Sequence, residues 1–425
     1  MIKRQSQALE PYLILFPAVL FVYFIIYTSA EFEMTDGNLF NSYSLQAYRW
    51  LQGHLDLAYN YHHLEIAIFN NRYYISFPPV PSIVMLPFVA FLGSPETPDH
   101  VIALVVSLLA LVYAYKIAET QIENKAYAVF FTLFLFLGTN YLQIALRGIV
   151  WHIAQNLAFL FLLMALYYAL TPKRWHSYLS LFLLCCAMGS RPLQVIYTPL
   201  IVYLLYQREG APIPVFFKKL LLYGLPALLL GTGLLWLNYA RFGSIFEFGH
   251  NYLPASLYAP YGQFSVMYMP HHLRLMFSRL PTQWPVFGAP EVLFQPIAFW
   301  IASPIVLSYV VYWIMGIKNR ERYDAQFQHV YLATQFKQVY LLLIPALLFL
   351  HLLLLSAHKD VGGPQLGYRY TIDVLVVLFF GLTALFGKME QTWNGGNSAH
   401  MTRNLPLFLA GFLINLFGTI NAMVS

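Results

Sequence analysis

Eleven times along the chain a run of apolar residues approaches the length that crosses a bilayer, near 11–29, 100–118, 126–143, 153–170, 178–190, 193–206, 220–240, 297–317, 338–356, 369–387 and 405–424. Runs of this kind, in a chain that is 59% hydrophobic and only 10% charged, exclude a soluble globular domain. The fold class they predict is an all-α polytopic membrane protein with about 11 transmembrane helices. Boundaries between 178–190 and 193–206 are soft, because both runs are short and nearly abut. One further stretch, Val80 to Gly93, follows Pro78-Pro79 and carries Pro81 and Pro87. It is too short for an ordinary span and reads as an interfacial or re-entrant helix.

Charge orients the chain. If Val80–Gly93 does not cross, one side collects Lys3-Arg4, Lys173-Arg174, Arg208 with Lys218-Lys219, Lys318 with Arg320 and Arg322, Lys337, Lys388 and Arg403. That side is cytoplasmic by the positive-inside rule, and the N-terminus lies there. The N-terminal MIKRQSQALEP leads into an apolar run without a small-residue cleavage site, so the first helix is expected to be retained. The expected location is a multi-pass plasma (inner) membrane. The net charge of +6 is scattered over short loops, which argues against a nucleic-acid partner. Cys185 and Cys186 are adjacent in an apolar run and offer no disulfide framework.

The opposite, outer side is chemically distinctive. It holds Arg49, Arg72, Arg147, Arg191, Arg241, Arg274, Arg279 and Arg369 but a single lysine, Lys359. Arginine's planar fork suits phosphate and carboxylate, so this face is expected to meet an anionic group, unless these are arginines snorkelling at helix ends. The long loops, 30–99 and 241–296, also lie outside. The first of them carries Glu31, Glu33, Asp36, Asp56 and Glu65 directly after the first helix.

Several stretches together resemble the GT-C superfamily, integral-membrane glycosyltransferases that use polyprenyl-phosphate-linked sugars and include protein O-mannosyltransferases and aminoarabinose transferases. They are MTDGNLF with Asp36, HHLEIAIFNNRYYISFPP with Glu65, LRGIVWH with Arg147, SRP with Arg191, NYARFGSIFEFGHNY from Asn238 to Tyr252, and GYRYTIDVLVVL with Arg369. The resemblance implies a GT-C-like module over 1–250, including outer loop 30–99 with its juxtamembrane helices. Residues 251–425 then form a variable outer loop and C-terminal transmembrane helices. It also implies an inverting transfer of a monosaccharide from a polyprenyl-phosphate donor to an acceptor hydroxyl of a glycan, lipid or protein on the outer face. Alternatives from other classes are a lipid-linked sugar flippase or transporter, and an O-antigen-type polymerase or ligase.

Transfer from a polyprenyl phosphate needs a proton acceptor for the attacking hydroxyl, cations for the leaving phosphate and a site that excludes water. Asp36 is the candidate base, although Thr35 or Asp36 could equally cap the helix expected over NLFNSYSLQAYRWLQG. Glu65 is the second carboxylate, a ligand for acceptor or metal or a second acid–base group, unless it is a solvated residue on a juxtamembrane helix. Arg369, Arg191, Arg241 and Tyr370 are the candidates for the donor phosphate. Arg147, Trp151, His152, Glu247 and His250 are those for sugar or acceptor. Asp373, four residues after Arg369, is expected to pair with it on one helix face. Adjacent histidines such as His62-His63 and His271-His272 point apart on a helix and make poor ligand pairs. A divalent cation is compatible with the sequence and not required by it.

Overall fold

In the computed structural model the described residues are 9–35, 37–280, 297–319, 337–360, 362, 366–392 and 399–424. The expected apolar runs are all helical in it. In chain order the helices are α1 (Tyr12–Ser29), α2 (Ser42–Leu51), α3 (Val80–Leu92), α4 (Asp99–Gln121), α5 (Lys125–Leu137), α6 (Val150–Leu170), α7 (Trp175–Met188) and α8 (Thr198–Glu209). They continue as α9 (Ile213–Tyr223), α10 (Leu225–Phe242), α11 (Met269–Ser278), α12 (Ile305–Lys318), α13 (Ile344–Ala357), α14 (Ile372–Thr392) and α15 (Ala399–Val424). Several short helical turns lie between them.

The chain is a multi-pass membrane protein, but eleven full crossings are not what length alone supports. Six described helices are long and apolar enough to span, or seven if α9 and α10, bent by 52° at their junction, form one broken span. The helices α3, α5, α7 and α12 are apolar but short. The bend follows from sequence: Gly224 and Pro226 sit together at the junction, where proline removes a backbone donor.

The bundle is organised around α14. Of the most apolar window of Arg369–Gln391, 94% is buried inside the protein, against 33% for α1, so α14 is central and α1 peripheral. It packs against α4, α6, α12 and α13. Its start therefore lies where several other helix ends converge.

Between α2 and α3 the chain forms a β-hairpin that begins one residue after Glu65, where the alternative reading of that residue has a juxtamembrane helix. Strands β1 (Ile66–Phe69) and β2 (Arg72–Ile75) are antiparallel, with Ile66 opposite Ile75 and Phe69 opposite Arg72. The two-residue turn Asn70-Asn71 has φ of 49° and 58°, the left-handed pair that a type I′ hairpin requires and that asparagine tolerates. The all-α expectation is thus corrected by one small sheet.

The start of the 30–99 loop is pinned to the bundle by side-chain bonds. Asn38 Nδ2 donates to Asp99 Oδ2 at 2.8 Å and to the Gly148 carbonyl at 2.9 Å. The Val150 N–H donates to the Phe40 carbonyl at 3.1 Å. Gly148 permits this closeness, because a Cβ there would lie 2.2 Å from the Asp99 carbonyl carbon.

Candidate active site

A cavity of about 850 Å³ opens where the α14 start, the β-hairpin, the 144–152 turn and the 248–264 loop meet. That is the size of a small-molecule site. Of the residues singled out from sequence, Glu65, Arg147, Trp151, His152, Arg191, His250, Arg369 and Tyr370 line it.

The wall at α14 carries the arginines. Arg369 lies in a 3₁₀ turn that leads into α14 and is 5% exposed. Its Nη1 donates to the Trp151 carbonyl at 3.0 Å and its Nε to the Gly362 carbonyl at 3.3 Å. Asp373 does not pair with it as expected. Instead Arg191, more than 180 residues away in sequence, donates to Asp373 Oδ2 from Nε at 3.0 Å and from Nη2 at 2.8 Å. Gln155 Nε2 takes the other oxygen at 2.7 Å and also reaches the Arg369 carbonyl at 2.9 Å. The helical i,i+4 spacing is overridden because Arg191 presents the Nε–Nη2 side of its guanidinium from a neighbouring segment. Both guanidinium groups lie over the Tyr370 ring, Arg191 at 4.8 Å and Arg369 at 5.2 Å from its centroid.

Glu65 sits just before β1 and faces this wall. Burial pushes its carboxyl above the usual range, with a contribution from Asp360. A hydrogen bond from Trp151 and the charges of Arg369 and Lys359 oppose the rise. The residue is exposed at the cavity wall, where a carboxyl with a raised pKa can exchange a proton.

On the side of the 144–152 turn, Arg147 Nη1 donates to the Ala422 carbonyl at 3.2 Å, while its Nε is buried with no hydrogen-bond partner among the described residues. The Trp151 ring packs on Phe40 at 5.1 Å. His152 is 4% exposed, and its Nδ1 also lacks a partner among the described residues. Across the cavity, His250 Nδ1 donates to the Ser76 carbonyl at 2.8 Å. Burial, then Lys359 and Arg191, hold its imidazole below the ordinary value against a raising effect of the Ser76 contact and Glu247. His358, pushed down to about 4 chiefly by burial, and Lys359, whose Nζ donates to Ser256 Oγ at 2.6 Å, complete that side.

Three candidates are placed differently. Asp36 lies outside the described residues. Arg241 does not line the cavity: it is 2% exposed, donates to the Ile75 carbonyl at 3.1 Å and to Asn238 Oδ1 at 2.9 Å, and so ties the end of α10 to the hairpin. Glu247 is turned onto its own loop, accepting from the Gly249 N–H at 2.6 Å and from Asn251 Nδ2 at 2.5 Å. Sequence reasoning passed over Lys359 and Asp360 as site residues, although Lys359, the solitary lysine of the expected outer face, was a visible signal.

Arg147, Arg191, Lys359 and Arg369 line the cavity against Glu65, Asp360 and Asp373, which leaves one positive charge in excess when all are ionised. Such a cavity can hold one anionic group beside a neutral ring-sized one. Among the described residues no group of three or more His, Cys, Asp or Glu is arranged to hold a metal ion.

No protein-family model and no curated protein matches the sequence. Solved structures do. ArnT from Cupriavidus metallidurans in the apo state has a TM-score of 0.52 at 13% identity, covering 98% of this chain and 77% of that one. The same protein bound to undecaprenyl phosphate has a TM-score of 0.50 at 12% identity, with the same coverage. The Archaeoglobus fulgidus oligosaccharyltransferase in the apo form is weaker, with a TM-score of 0.44 at 11% identity over 96% of this chain and 56% of that one. At such identities the likeness to ArnT is one of fold. It extends over nearly the whole chain.

Proposed function

We propose that the chain is an inverting GT-C-type glycosyltransferase. It moves a monosaccharide from a polyprenyl phosphate to an acceptor hydroxyl, with the cavity on the outer face of the inner membrane. The observation that carries the proposal is the cavity itself: a glutamate with a raised pKa on its wall faces an arginine pair stacked on one tyrosine, with a net cationic lining. The fold shared with ArnT, a structure of which holds undecaprenyl phosphate, supports the donor class.

In this reading the acceptor oxygen attacks the anomeric carbon as the carbon–oxygen bond to phosphate breaks, and the electron pair leaves with the phosphate. Arg369 takes most of that charge, because Arg191 is already partnered by Asp373. Tyr370 holds both guanidinium groups in place. The first outer loop supplies the carboxylates: Asp36 and Glu65 are proposed for proton acceptance and for opposing the positive charge that develops on the sugar. Trp151, Arg147 and His152 form the platform for the sugar. Arg241 and Glu247 are assigned to holding the walls. The acceptor is a lipid or glycan hydroxyl.

The test is turnover of a panel of polyprenyl-phosphate sugars by purified protein in lipid. Wild type should release or transfer one of the sugars, Arg369→Gln should lower kcat/KM by at least about tenfold for the lost charge-assisted contact, and Asp36→Asn or Glu65→Gln should lower kcat. Absence of any sugar release from the whole panel would refute the assignment. Equal rates in Asp36→Asn would remove Asp36 from the chemistry and leave Glu65.

A further inference from the structure

Resting on that reading, the geometry points to His250 as a residue that selects the donor sugar, its Nε2 accepting a hydrogen bond from one hydroxyl of that sugar. The Ser76 carbonyl can only accept, so the bond of 2.8 Å to Nδ1 places the ring proton on Nδ1. Nε2 then carries a lone pair. It has no hydrogen-bond partner among the described residues, and the ring lines the cavity.

The ring is not free to turn. Phe248 packs on it at 5.3 Å and Phe77 edge-on at 6.0 Å. The preceding residue, Gly249, has φ of +107°, and a Cβ there would lie 3.0 Å from Ser76 Cα and 2.9 Å from Phe242. The loop therefore approaches the hairpin only because this position is glycine. Ser76 also hydrogen-bonds through Oγ to the Glu65 carbonyl at 3.2 Å, so His250 and Glu65 are set from the same residue.

A fixed acceptor among cationic neighbours has a definite chemical preference. The phosphate belongs to the arginine wall, and a lone pair repels it. A neutral sugar hydroxyl, which donates, fits. A sugar lacking that hydroxyl, or carrying an ether or ester there, leaves Nε2 desolvated and unpaired and is rejected.

The experiment uses diethyl pyrocarbonate, which modifies unprotonated, accessible imidazole nitrogens. Full-length protein in lipid is treated with the reagent alone, with undecaprenyl phosphate, and with undecaprenyl phosphate carrying glucose, galactose, mannose or arabinose. Modification of His250 is read by mass spectrometry. At least one glycosylated lipid should protect His250 while undecaprenyl phosphate does not. For the protecting sugar, His250→Phe should lower kcat/KM by about tenfold to a hundredfold, and His250→Gln, which keeps an acceptor oxygen, should recover part of it. Turnover without protection of His250 overturns the contact and leaves the transferase standing. Protection without transfer does the reverse. Equal modification in every arm with no turnover refutes both.

Discussion

The Arg191–Asp373 pair makes an asymmetric prediction. Asp373's side chain is 2% exposed and Arg191's is 21% exposed, so the carboxylate has far less access to water than the guanidinium. Arg191→Met removes both donors from Asp373 Oδ2 and leaves a carboxylate with only Gln155 on its other oxygen. Breaking a buried pair in this way costs roughly 3–5 kcal/mol. Asp373→Asn is milder, about 1–3 kcal/mol, since Arg191 keeps the Tyr370 face and can turn toward water in the cavity. The double variant has no charge left to strand and should be less destabilised than the sum of the two by at least about 1 kcal/mol. Denaturation in mixed micelles, followed by tryptophan fluorescence for all four proteins, measures each term. Equal single costs with an additive double would show that the pair does not bear on stability as its burial implies.

Three further outcomes follow from particular contacts. Because the folded protein raises the Glu65 pKa, the stability this group contributes is present below pH 4.5 and lost as pH rises through its folded value; Glu65→Gln should therefore flatten the pH dependence of thermal stability and melt above wild type at neutral pH, while turnover falls. Melting curves of the two proteins from pH 4 to 8 (roughly the range over which a raised carboxylate titrates) would contradict this if they stayed parallel. Gly148→Ala puts a Cβ 2.2 Å from the Asp99 backbone and should cost about 2 kcal/mol or more, read by melting temperature, with wild-type stability as the disproving result. Asn71→Val forces a β-branched residue into φ of 58° and should lose roughly 1–2 kcal/mol in the same assay, an idea that a neutral substitution would sink.

How much of this was legible in sequence depends on the range of the interaction involved. The spans were readable because a bilayer forces each apolar run to satisfy its own backbone, a local requirement. Arg369 was readable as a cation at the start of a span, but its partner was not. Asp373 is correctly spaced for Arg369 and belongs to Arg191, because only the packed bundle brings Pro192's turn alongside α14. The hairpin carried a usable signal that the aromatic content obscured: Asn70-Asn71 between alternating residues is a two-residue turn. Arg369 and Arg241 look equivalent in sequence, two outer arginines at helix ends. Both donate to backbone carbonyls, and what separates them is that Arg369 also lines the cavity while Arg241 does not.

That difference also assigns the hairpin its purpose. Three contacts converge at the end of β2: Arg241 on the Ile75 carbonyl, His250 on the Ser76 carbonyl, and Ser76 Oγ on the Glu65 carbonyl. Residues from both long loops are thereby indexed to one strand. Successive residues of a strand point to opposite faces, so a slip of one residue in the pairing of Ile66 with Ile75 would turn this end over and carry His250 away from Glu65. A helix in this place could not impose so sharp a choice, since its side chains rotate by about 100° per residue and spread over all faces. The short sheet is therefore the element that fixes where the 241–252 segment stands against the loop before α3. Arg241, outside the cavity, acts on the site through it.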